Sequence, residues 1–192
     1  MTQPRTGRLV HDLDGATVRQ AWGTVEENAV RLDRADAERV VEALNVDHAS
    51  AFNLFYLLRK HYWTAEGAEH EEVADFLKDA YQRARALNDD LAERITQLGG
   101  VPASTPPQLQ EYAAVHLEAE HLFDLRSSLE GDLEAYATLA ASMREHVALA
   151  ADVGDEATRE LLQEELEEVE EDAHTLENLL ADDTLVRTEA MR

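Results

Sequence analysis

The run His61-Tyr62-Trp63-Thr64-Ala65-Glu66-Gly67 joins two long stretches of helical periodicity, and its reading decides the fold. Upstream of it, Val41, Leu44, His48, Ala51, Phe55, Leu58 and Tyr62 recur at intervals of three and four residues, one face of a 3.6-residue helix. The spacing predicts a first helix over 35–63, with Asp33 or Asp36 near its N-cap. Glu66-Gly67 makes the turn. Downstream, Val73, Leu77, Ala80, Ala84, Leu87, Leu91 and Ile95 predict a second helix over 69–98, stopped by Gly99-Gly100. Residues 101–107 (VPASTPP) are too rich in proline for helix, and a short helical piece is predicted over 108–115 inside a long crossover. A third helix is predicted over 118–153, with Leu122, Leu125, Leu129, Leu133, Tyr136, Ala140, Met143, Val147 and Ala150 inward. Gly154 ends it and Asp155 caps a fourth, which turns Thr158, Leu161, Leu162, Leu166, Val169, Ala173, Leu176 and Leu180 inward. No strand-like alternation appears, so the fold class is all-α.

Two helical hairpins joined by a crossover between the second and third helices have the connectivity of ferritin-like four-helix bundles. The body is assigned to 33–182, with a tail and arm over 1–32 and a C-terminal tail over 183–192. Pro4, Gly7 and Gly15 mark residues 1–15 as a mobile tail. Val18, Trp22, Val25 and Ala29 have a helix-like spacing interrupted by Gly23, which predicts a weakly helical arm docked on the body or on a neighbour.

Composition narrows the class. With 192 residues, 44% of them apolar, the chain can bury one good core as a single domain. It has no cysteine, hence no disulfide framework and no thiolate metal site. No apolar run approaches the ~20 residues that span a bilayer, and no apolar signal core opens the chain, so a soluble, cytoplasmic protein is expected. Acidic residues number 41 against 17 Lys and Arg, a net charge of −24, and Lys60 and Lys78 are the only lysines. A uniform acidic excess of this kind points to a halophilic surface that holds water and cations at high salt. It argues against DNA binding, which needs clustered cations to displace counterions; Arg5, Arg8 and Arg19 are scattered and accompanied by Asp12 and Asp14.

A metal site at the centre of such a bundle needs a Glu from each of two helices and a Glu-x-x-His pair from each of the other two. Glu171-x-x-His174 has that spacing, but the second helix offers no counterpart, and half a motif is expected by chance in a helix so rich in glutamate.

The segments KHYWTAEGAE (60–69), DDLAERITQLGGVP (89–102), DLRSSL (124–129), MREHVALAADVGDEAT (143–158) and LADDTLV (180–186) resemble the Dps family, and its haloarchaeal branch most closely. The resemblance covers about residues 35–186. It implies a hollow dodecamer built from two-fold dimers, with acid-lined channels and a cavity that stores iron under oxidative or starvation stress. In that family the iron-oxidising site lies between two chains: a His before the Trp, a second His twelve residues on and an acid four residues later, facing an acid-x-x-x-Glu pair from the partner. The matching positions here are Tyr62, Ala74, Lys78, Asp89 and Glu93, so only the last two carry the family's ligand types. Three of the five are not ligands, which leaves ferroxidase activity open.

Two readings of these positions compete. Residues 74, 78, 85, 89 and 93 share one helix face, away from the core stripe. In the first reading Asp89 and Glu93 hold iron and His61 or His70 supplies the missing nitrogen, since carboxylates suit hard cations and imidazole suits iron. His61 is one residue out of register with Tyr62, about 100° around the helix. His70 lies one turn before Ala74. In the second reading Lys78 of one chain takes the place of the iron charge and pairs with Asp89 and Glu93 of another, with Arg85 at i−4 supporting Asp89. The family's Trp can be oxidised in place of DNA, which brings Trp63 into question, although a helix-end Trp at an interface is also ordinary packing. The acids Glu164, Glu165, Glu167, Glu168, Glu170, Glu171 and Asp172 read as a solvated face or as the lining of a cation path. His116, His121, His146 and His174 are each isolated in sequence.

Overall fold

A computed structural model of the chain describes residues 13, 15–67 and 70–181; the expectations for 1–12, for the residues after 181 and for the helix start at Glu69 lie outside these. Four long helices and one short one follow in order: α1 Arg34–Thr64, α2 His70–Gln97, α3 Pro106–Tyr112, α4 Leu125–Asp152 and α5 Glu156–Leu180. α1 packs along α2 and α4 along α5; α1 also lies against α4 and α3, and α2 touches α5. The all-helical bundle with a short helix in its crossover, expected from the periodicity, is the observed fold.

Local signals account for most helix ends. The Asp33 side chain caps α1 by accepting from the backbone N–H of Ala35 at 2.9 Å. α2 closes where Gly99 takes a left-handed φ of 83° and the N–H of Gly100 reaches back to the carbonyl of Ile95 at 2.9 Å. Asp155 caps α5 through the N–H of Thr158, and Arg94 of α2 reaches across to the same corner, 2.7 Å from Asp155 and 2.8 Å from the Thr158 hydroxyl.

Four expectations are corrected. α3 starts at Pro106, not at 108: Pro106 and Pro107 occupy the first helical positions, where a missing N–H costs nothing. α4 starts at Leu125, not near Glu118, because Asp124 caps it by accepting from the N–H and hydroxyl of Ser127. Leu122 therefore lies outside the helix and is exposed rather than inward. The arm is not helical in residues 15–33, although it does dock on its own chain. Val25 is buried, Trp22 meets Tyr112 edge-on at 5.6 Å, and the Gly99 carbonyl accepts from the N–H of Glu26 (2.9 Å) and from Gln20 Nε2 (2.8 Å). A Cβ at Gly99 would collide with the Glu26 carbonyl oxygen, so this close approach requires glycine.

The crossover is held to α1 by polar side chains inside the core. Asn45 accepts from the N–H of Ala103, His48 lies 2.8 Å from the Ala103 carbonyl, Ser50 accepts from the N–H of Ala114, and Asn53 donates to the carbonyl of Val115. Half of α1 is thus buried, and its polar residues satisfy crossover backbone groups that lie outside α3.

Candidate functional site

α2 presents two faces. Val73, Leu77, Ala80, Ala84, Leu87 and Leu91 are buried against the bundle. On the outer side Ala74 is half-buried while Lys78, Arg85, Asp89 and Glu93 are exposed. Arg85 lies 3.9 Å from Asp89, and the two border a shallow cleft with Tyr81, Gln82 and Ala86. Lys78 has no hydrogen bond or ion pair among the described residues. Lys78 and Asp89 are eleven residues apart on one helix, roughly 16 Å along its axis, so they can meet only between chains. Asp89 and Glu93, one turn apart, are the only carboxylates of this row, so a third ligand for an ion there would have to come from outside it.

The neighbouring positions fall as follows. Tyr62 is half-buried and its ring sits 5.6 Å from that of Tyr81. Trp63 is 57% exposed with the Arg59 guanidinium 4.7 Å above its ring. His70 is the first residue of α2 and is exposed.

His61 is turned into the bundle. Its Nδ1 lies 2.8 and 2.9 Å from the two carboxylate oxygens of Asp132 on α4, and its Nε2 lies 3.0 Å from Glu118 in the crossover. Lys60 bonds the same Glu118 carboxylate and donates to the carbonyl of His121 at 2.7 Å. Burial alone would lower the proton affinity of His61, but the hydrogen bonds and charges of Asp132 and then Glu118 outweigh it and raise the pKa. Burial likewise pushes Glu118 up, and Lys60 and His61 overcome it to hold the carboxyl below its ordinary range. Asp132 is pushed up by burial against the pull of the imidazole. With two oxygens within 2.9 Å of Nδ1, we assign the proton to the imidazole, which sits as a cation between two carboxylates.

The bundle interior holds a second ionic network. Arg83 Nε lies 3.1 Å from Asp172, whose Oδ2 also accepts from the Tyr136 hydroxyl at 2.9 Å. Burial pushes the Tyr136 hydroxyl well above its ordinary pKa, so it donates as a neutral phenol. Asp172, expected on the solvated acidic face of α5, is buried because it falls three residues after Val169 and four before Leu176, within the inward stripe. Glu171 and His174 are both exposed, and His174 lies 3.4 Å from Glu177. His146 is not isolated either: its Nδ1 lies 2.7 Å from the fully buried Asp47, which also accepts from Ser142 at 2.6 Å. Among the described residues no three His, Asp or Glu side chains of one chain are placed to hold a metal ion.

Glu165 is the half-buried member of the α5 acids. Burial, followed by the charges of Asp90 and Glu168, raises its pKa to about 7. A carboxyl whose folded-state pKa is raised favours folding most below its ordinary 4.5, and that advantage is lost as pH rises through about 7. Glu165→Gln is therefore expected to raise the melting temperature at about pH 8.5 and to leave it unchanged at about pH 4. A stabilisation of equal size at both pH values would show that ionisation of Glu165 is not the cause.

The ferritin-like domain family matches residues 41–186. The chain is 44% identical over 174 residues to the DNA protection during starvation protein of Halobacterium salinarum, covering 90% of this chain and 96% of that protein. It is 34% identical over 166 residues to the nutrient stress-induced DNA-binding protein of a Synechococcus species, covering 86% and 94%. Among solved structures, an archaeal Dps homologue from Halobacterium salinarum has a TM-score of 0.87 at 43% identity, covering 92% of this chain and 98% of that one. DpsC from Streptomyces coelicolor has a TM-score of 0.85 at 27% identity, covering 89% and 100%. No helix among the described residues is long and apolar enough to cross a membrane.

Proposed function

Because the chain belongs to the Dps family of the ferritin-like superfamily, we propose that it assembles through the outer face of α2 into a cage that takes up and holds iron under stress. The observation that carries this reading is the α2 face itself: a solvent-open row of Ala74, Lys78, Arg85, Asp89 and Glu93 behind a fully buried stripe. Arg85 pairs with Asp89 within the chain, whereas Lys78 is too far along the helix to reach Asp89 or Glu93 there, and a two-fold arrangement would bring Lys78 of one copy to Asp89 and Glu93 of the other. Iron is the cargo. The acidic excess raises the local concentration of cations, and exposed carboxylates suit a hard ion.

Fast iron oxidation is not part of this proposal. The family's two imidazole positions hold Tyr62 and Ala74, its first acid is Lys78, and both ring nitrogens of His61 are engaged inside the chain. Oxidation at this face would rest on Asp89 and Glu93 alone. Lys78, exposed and without a partner among the described residues, could neutralise Asp89 and Glu93 of another copy in place of iron, which favours a second reading: an iron-free shell, or a subunit that co-assembles with an active relative, with a Lys-carboxylate salt bridge between chains. Direct DNA contact is not proposed, since −24 charges and two lysines give little to exchange for phosphate counterions.

Aerobic ferrous iron loading of the purified protein at high salt, followed by ferric absorbance and by particle size, tests both readings beside a Glu93→Ala variant. Retained iron in an intact cage, with slow oxidation that slows further in the variant, is the expected result. Oxidation no faster than buffer and no retained iron would leave the iron-free reading.

A further inference from the structure

Away from the α2 face, a cavity of about 290 Å³ lies where the arm folds back over the start of α1. Glu38, Val41, Glu42 and Asn45 come from one side of α1 at the i, i+3, i+4 and i+7 positions. Val25 of the arm and Val101 of the crossover close the apolar part. Trp22 and Tyr112 form a corner of two rings at 86° to each other. Among the described residues no lysine, arginine or histidine lines the space.

The polar groups sort into spent and free. Asn45 is occupied by the carbonyls of Val41 and Val101 and by the N–H of Ala103. Glu38 is paired with Arg34 at 3.0 Å. Glu42 has no partner among the described residues. What remains is a negatively charged pocket lined by two perpendicular aromatic rings, with apolar walls and, among the described residues, one uncompensated carboxylate. A hard metal ion needs several oxygens converging on one point, which aromatic and valine walls do not offer. A neutral apolar guest would leave the carboxylate without a counter-charge. An organic ammonium satisfies all three surfaces: its charge meets Glu42 and the ring faces, and its methyl or methylene groups meet the valines. The volume lies at the lower end of the range for small-molecule sites.

We propose that this cavity binds a small organic cation carrying a methylated ammonium head, held by the faces of Trp22 and Tyr112 and by the Glu42 carboxylate. The inference is independent of the cage and of iron. Because the arm supplies Trp22 and Val25, occupancy also pins the arm to α1.

The test is calorimetric titration of the full chain with choline chloride, beside the uncharged carbon isostere 3,3-dimethylbutan-1-ol, at matched ionic strength in potassium chloride. Choline is expected to bind saturably, once per chain, and at least about tenfold more tightly than the isostere. Trp22→Leu keeps an apolar wall but removes a ring face, and Glu42→Gln alters a solvent-facing carboxylate that supports no fold contact; each is expected to weaken choline by about tenfold. Equal binding of the isostere would reduce the site to an apolar hole. Absence of saturable heat with choline, or undiminished affinity in both variants, overturns the proposal.

Discussion

His61→Ala is expected to cost about 3–5 kcal/mol of stability, because it leaves Asp132 and Glu118 in or near the interior without the cation between them. Asp132 is fully buried and accepts no other hydrogen bond among the described residues, so the loss falls chiefly on it. Replacing both partners with apolar residues, as in His61→Leu with Asp132→Leu, should recover much of the loss, since neither charge then remains to be desolvated. The effect also carries a pH signature. The raised pKa of His61 makes its contribution whole below the ordinary imidazole value of 6.5 and lost as pH climbs through the folded-state value. The lowered pKa of Glu118 makes its share whole above 4.5 and lost as pH falls through the folded-state value. The wild type and His61→Ala should therefore differ most between 4.5 and 6.5 and converge at alkaline pH. Urea unfolding across this range measures it; a difference that does not change with pH would mean that His61 acts by packing alone.

Lys78→Glu is expected to weaken association between chains by roughly 2–5 kcal/mol for each pair broken, and two-fold symmetry breaks two pairs at once. The substitution is local in the isolated chain, where Lys78 is exposed and has no partner among the described residues, so a loss of assembly without a loss of helicity reports on the interface. Adding Glu93→Lys to the same chain restores opposite charges across the two-fold and should restore assembly. Light scattering at the lowest salt that keeps the wild type folded is the right measurement, because at about 1 M salt the screening length shrinks to roughly 3 Å. Unchanged assembly in Lys78→Glu would remove the ion-pair reading of the α2 face and return Asp89 and Glu93 to consideration as ligands without a competitor.

The fold was largely legible in sequence because its signals are local. Periodicity at three and four residues placed α1, α2 and α5, and Gly99, Gly154 and Asp155 marked their ends. Periodicity places the start of α4 too early because Leu122 lies three residues before Leu125 and mimics another turn of the stripe. Residues 113–124 are not helical, and Lys60 and His61 hold Glu118 there from 58 and 57 residues away, contacts that no window can show. The buried acids stand in the apolar stripes. Asp132 fills a slot in the series Leu129, Tyr136, Leu139, Met143, and Asp172 does so between Val169 and Leu176. A charged residue in an apolar slot marks a paired group in the core. The outward face of α2 was also legible from phase alone, whereas the partner that meets it is carried by another chain. The arm's cavity depends on a fold-back through Gly99 and left no periodic trace.

The helices of this bundle do not share burial equally. α1 buries 16 of its 31 residues, whereas α2 buries 8 of 28, α4 9 of 28 and α5 5 of 25. Sequence drift should follow the same gradient. A lineage moving between salinities can exchange the outer glutamates of α5 for lysine or glutamine one at a time, each at little cost in fold. α1, touching α2, α3 and α4 at once, leaves few positions where one change does not demand a second. Adaptation to the medium would then be written on the last helix, and ancestry preserved on the first.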